Sequence, residues 1–191
     1  MSEKVSAFWS VQAANFEYLF FVVNWNDFSN SITESLEKNL DVLGQEIGLA
    51  GKVVQAYKQA RHETFEEVVA KNGWSAEMLR RFDDEQYPFL LVINTSFEAF
   101  SPEKDLWSVV WFSDFRDNPD TIPEIFGKLV KKVRRGENLF DYFKSLAMKQ
   151  TTKEWADYFE IKPSIFGVAL DVKAMLEDVG DAAKRHFGRD A

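Results

Sequence analysis

The sequence predicts an α/β protein: a mixed sheet flanked by helices, with a C-terminal helical segment appended. Three observations lead there. First, residues 87–94 and 106–113 are β-rich apolar runs separated by the polar cluster Ser101-Pro102-Glu103-Lys104-Asp105, which is a hairpin signal. Second, these runs and the earlier run at residues 16–25 are almost continuously apolar, so both faces of the sheet must be covered. Third, the stretches between the strands carry apolar residues at helical spacing, and from Leu139 onward that spacing dominates.

Taken in order, Val5, Phe8, Trp9 and Gln12 fit a short helix over residues 3–14. Residues 16–25, Phe-Glu-Tyr-Leu-Phe-Phe-Val-Val-Asn-Trp, read as a buried strand. Ser31 with Glu34 forms a capping box. Behind it Ile32, Leu36, Leu40, Leu43 and Ile47 step along one helix face, and Gly48 stops the helix. Residues 53–57 make a second strand, and strand–helix–strand in this order predicts a parallel crossover. Helices follow at 64–71 and after Ser75, then the hairpin. Thr121 with Glu124 suggests another capping box, with Pro123 in the first turn. Ile122, Ile125, Phe126, Leu129, Val130 and Val133 give an amphipathic helix ended by Gly136. Leu139, Phe140, Phe143, Leu146 and Ala147 share a face, and Thr151 with Glu154 opens a short helix. Residues 164–187 are expected to form one long helix, with Phe166 and Leu170 on a second apolar face that serves a partner or homodimer interface if exposed. A strand over residues 166–171 is the competing reading. The chain reads as a single domain, 1–191, with an α/β core at 15–136 and an extension at 137–191.

Composition narrows the function. The 191 residues are 46% apolar and 28% charged, with eighteen Phe and six Trp. Most of those rings must be core. The net charge of −8 disfavours nucleic acid and anionic membrane surfaces and would suit a basic partner. No cysteine is present, which removes disulfides, thiolate catalysis and zinc–thiolate sites. No secretory leader is recognisable at the start and the longest apolar run is too short to span a bilayer, so a cytoplasmic location is expected.

Val22-Val23-Asn24-Trp25 followed by Asn26-Asp27-Phe28-Ser29, and Tyr87-Pro88-Phe89-Leu90-Leu91, resemble two signatures of the thioredoxin-like superfamily: the strand and Trp that lead into its redox pair, and the Pro that precedes its third core strand. Gly51-Lys52-Val53-Val54 is similar to the second strand. The resemblance covers about two-thirds of the chain. It implies a thioredoxin-like mixed sheet, a cis Tyr87–Pro88 bond, and a site near Trp25, Asn26, Phe28, Ser29 and Pro88. Asn26 and Ser29 occupy the two cysteine positions, so redox chemistry is not implied. The expectation is a non-redox interaction module, an adaptor, inhibitor or immunity-type protein, that binds a protein partner. The alternative is a glutathione-transferase-like enzyme or small-ligand binder that uses the same loop and Pro88.

Other motifs read as scaffold. His62-Glu63-x-x-Glu66 lacks the second His of a zincin helix and suits a solvated helix start. Asp114, Asp117 and Asp120 lack the Gly and Glu of a calcium loop and suit a turn. Residues 131–135, Lys-Lys-Val-Arg-Arg, complement a helix C-terminus. No catalytic residue, metal ligand or cofactor is expected.

Overall fold

The computed structural model describes residues 2–12, 16–24, 31–84, 87–115, 119–151 and 167–170. In chain order the elements are β1 (Ser2–Val5), a 3-10 turn (Phe8–Ser10), β2 (Tyr18–Val23), α1 (Ser31–Ile47), β3 (Gly51–Ala56), α2 (Arg61–Val69), α3 (Ala76–Asp84), β4 (Phe89–Ile93), β5 (Trp107–Trp111), α4 (Ile122–Arg134), α5 (Leu139–Thr151) and β6 (Gly167–Leu170).

The strands form one mixed sheet in the order β1-β3-β2-β4-β5-β6. β3 is parallel to both β1 and β2. β4 is antiparallel to β2 and β5, and β6 is parallel to β5. This is an α/β fold, and its arrangement is compatible with a thioredoxin-like one.

The continuous apolar runs resolve into two cores because successive side chains point to opposite faces. On one face Tyr18, Phe20 and Val22 of β2 meet Leu90 and Val92 of β4. They pack on Ile32, Leu36, Leu40 and Leu43 of α1 and Ile125 and Leu129 of α4. On the other face Leu19, Phe21 and Val23 meet Phe89 and Leu91, under Phe8, Val68 of α2 and Phe82 of α3. The α1 positions spaced three and four apart are the buried ones, as the sequence spacing requires. Gly48 (φ +63°) and Gly136 (φ +67°) take the left-handed conformation that ends α1 and follows α4.

Several expectations need correction. Residues 2–10 are a strand and a 3-10 turn, not a helix: Val5 pairs with Ala56, and Phe8 turns into the second core. Thr121 is no N-cap, because the 3-10 turn Pro119–Thr121 runs straight into α4 and leaves Thr121 helical with no capping hydrogen bond. The single helix over residues 164–187 is overturned at its start. Gly167–Leu170 is a strand whose Leu170 pairs with Val110, so the competing strand reading holds there. Phe166, the helix expected over residues 171–187 and the helix start expected at Thr151 and Glu154 lie wholly or partly outside the described residues.

Candidate functional site

In an open α/β sheet the ligand crevice forms at the carboxyl ends of strands, where the connections leave toward opposite faces. β2 is that place here. Its chain leaves into α1 on one face and returns as β3. β3 then leaves for α2 on the other face, and the chain returns as β4 on the far side of β2. A small cleft lies at this point. Val22 and Gln55 form its floor, Thr33, Leu36, Glu37 and Leu40 of α1 its wall, and Asn24, Ala56, Arg61 and Pro88 its upper edge. Its volume of about 20 Å³ admits one water-sized group.

The cleft is polar at its top and apolar below. Asn24 and Thr33 are buried, and both have interaction partners. Arg61 opens α2 and reaches back to α1, donating from Nη2 to Glu37 Oε1 at 2.8 Å. Only 14% of the Arg61 side chain is exposed, against 54% for Glu37, so the pair closes the cleft from the solvent side. Pro88 is buried at the head of β4, and its carbonyl accepts the Phe112 N–H at 3.3 Å. The Tyr87–Pro88 bond is trans, which corrects the cis bond implied by the resemblance. With its carbonyl on the β5 side, Pro88 extends the ladder, and the extended backbone favoured before proline carries the chain into β4.

Of the expected site residues, Pro88 is at the cleft. Trp25, Asn26, Phe28 and Ser29 lie outside the described residues, which stop at Asn24 on the cleft edge. Leu170 is on β6, three strands away from β2 in the sheet order, and Phe166 is outside the described residues. Thr33, Glu37, Gln55 and Arg61 were not singled out in the sequence. Arg61 and Glu37 are 24 positions apart, and only the parallel crossover joins them.

The remaining motifs fall elsewhere. His62, Glu63 and Glu66 are exposed on α2, and among the described residues no three His, Asp or Glu side chains gather as a metal site. The basic run at the end of α4 is largely engaged. Lys132 Nζ meets Glu137 Oε2 at 2.6 Å, Arg135 lies 3.8 Å from the same carboxylate, and Arg134 pairs with Glu46. Lys132 beside it holds the Glu137 carboxyl below its ordinary range.

A second, larger cleft of about 250 Å³ lies at the other end of β2, walled by Phe16, Tyr18, Leu106 and Phe140 with Glu17, Asn94 and Asn138 at its edges. The Tyr18 hydroxyl there accepts the Leu139 N–H at 3.2 Å and donates to Glu17. Burial first, and then the Glu17 hydrogen bond, push its pKa up to about 12. Among the described residues no helix is long and apolar enough to cross a membrane. Comparison of the chain with protein-family models, curated proteins and solved structures found no match.

Proposed function

We propose that this chain is a non-redox interaction module of thioredoxin-like layout, acting by binding a protein partner at the carboxyl ends of β2 and β3. One observation carries the reading. The strand order places Asn24, Pro88 and the Arg61–Glu37 pair together at the point where the connections diverge. The parallel β1-β3-β2 half joined to the antiparallel β4-β5 hairpin supports the thioredoxin-like part, and the trans Pro88 bond weighs against it. Absence of cysteine supports the non-redox part. A cleft that takes only one water-sized group favours a surface contact over an enclosed small substrate. Trp25, Asn26, Phe28 and Ser29, next in the chain after Asn24, belong to the proposed contact surface. In the glutathione-transferase-like alternative the all-helical region follows the sheet, and the strand β6 weakens that parallel.

The test is site-specific photocrosslinking in cells. A benzophenone side chain replaces Gln55 at the cleft or Leu49, 89% exposed at the opposite end of the sheet. The reading expects a discrete protein adduct from position 55 and none from 49. Adducts from 49 alone, or none from either, would overturn it.

A further inference from the structure

We propose that Trp9 and the solvent face of α2 form a second interaction surface, which takes a basic segment of a protein partner with a Lys or Arg side chain seated over the indole. This surface is distinct from the Pro88 cleft and does not depend on it. The argument begins with how Trp9 is held. Phe8, beside it, is fully buried, edge-on to Phe21 at 4.8 Å and to Phe97 at 5.7 Å. Glu67 of α2 accepts the Phe8 N–H at 2.7 Å and also the Trp9 N–H. Ser10 Oγ donates to the Ala7 carbonyl at 2.7 Å. A buried ring and a carboxylate clamp therefore fix the backbone of a residue that is itself 60% exposed. A rigid exposed Trp loses little freedom on binding, which is what makes such residues effective anchors.

Charge selects the partner. Glu63 lies one helical turn from Glu67 on the same side of α2, and Glu66 is its neighbour; both are exposed, and neither forms an ion pair among the described residues. Lys71 donates to the Glu98 carbonyl at 3.0 Å and lies 4.9 Å from the Phe97 ring centroid; its charge also acts on Glu67, so the acids left without an ion pair are Glu63 and Glu66. His62 is the other titratable group of the α2 solvent face. An exposed indole, held by Glu67 of the same helix that carries the unpaired Glu63 and Glu66, offers a ring face and negative charge to a cation, and the net charge of −8 steers basic segments toward it.

Selection of phage-displayed random dodecapeptides on the full chain tests this. The expected result is enrichment in Lys and Arg. A labelled peptide from that selection should bind at least tenfold more weakly to Trp9→Ala and to Glu63→Lys/Glu66→Lys. Binding to the charge-matched control Asp83→Lys/Asp84→Lys, on exposed positions of α3, should hold within about twofold. Thermal melts would confirm that each variant folds. Failure to enrich any sequence, enrichment in acidic or uncharged sequences, or equal weakening in the control would overturn the proposal.

Discussion

Replacing Tyr18 by Phe tests how the end of the sheet is tied to α5. Tyr18 is 1% exposed, and its hydroxyl accepts the Leu139 N–H at the start of α5. Asn138 Oδ1 already serves the next two amides, Phe140 at 2.9 Å and Asp141 at 3.3 Å, so it is not free to take over the third. Leu139 is fully buried, and an orphaned buried amide costs about 1–3 kcal/mol. The ring and its contacts with Phe20 and Phe140 survive in the variant, so only the polar part is lost. The expected loss is about 1–2 kcal/mol at pH 7 in urea unfolding. The pH dependence gives a second signature. The folded state holds the Tyr18 proton up to about 12, whereas the unfolded chain releases it near the ordinary value of 10.0. The contribution of Tyr18 is therefore fully present below pH 10 and disappears as pH rises toward 12. The gap between wild type and Tyr18→Phe should close across that window. A variant as stable as wild type at pH 7, or a gap that stays constant to pH 12, would refute the account.

Three further outcomes follow from the same geometry. Gly51→Ala should destabilise by about 1–3 kcal/mol in chemical unfolding, because a Cβ there would sit 2.6 Å from Ile47 Cγ2 and 2.7 Å from Phe20 Cε2 in a packed core. Burial raises the Glu67 carboxyl above its ordinary range. Wild type should therefore gain stability over Glu67→Gln as pH falls from neutrality through the raised value to about 4.3, while Glu67→Ala, lacking the acceptor for Phe8 and Trp9, should be less stable throughout; melts from pH 3 to 8 read both. Purified protein should not reduce insulin, since the chain has no thiol, and turnover above a buffer blank would contradict this.

What the sequence revealed follows the range over which each element is determined. α1 was legible because its own spacing defines one apolar face, and every residue of that stripe is buried. The β4–β5 hairpin was legible from local turn chemistry: Ser101 N–H binds Asp105 Oδ2 at 2.7 Å, and the Trp107 indole donates to the Pro102 carbonyl. β1 was missed, and β6 ranked only second to a helix, for the opposite reason. Each has four residues, too few to establish a period of two, and each exists through parallel pairing with a strand far away in sequence. Val5 and Phe8 are buried as the helical spacing suggested, but Trp9, placed on the same stripe, faces solvent. Pro88 was found because a proline before an apolar run is a local signal. Arg61, Glu37, Thr33 and Gln55 give no such signal, since the crossover alone brings them together.

The recognition role we propose accords with the distribution of charge and of shifted titration among the described residues. In an enzyme the groups pushed furthest from ordinary titration tend to line the reactive cleft. Here burial raises Tyr18 and Glu67, and both lie away from Pro88, each holding a backbone N–H of its own chain. At the cleft, the guanidinium of Arg61 is already matched by Glu37. Three basic residues at the end of α4 are matched by Glu137 and Glu46, which leaves little there for phosphate. On α2, Glu63 and Glu66 form no ion pair among the described residues, and the same helix supplies Glu67, which holds the backbone beside the exposed Trp9. Negative charge left unpaired on an exposed helix face does not stabilise the fold. It gives a passing basic segment an attractive field and a fixed aromatic face to meet.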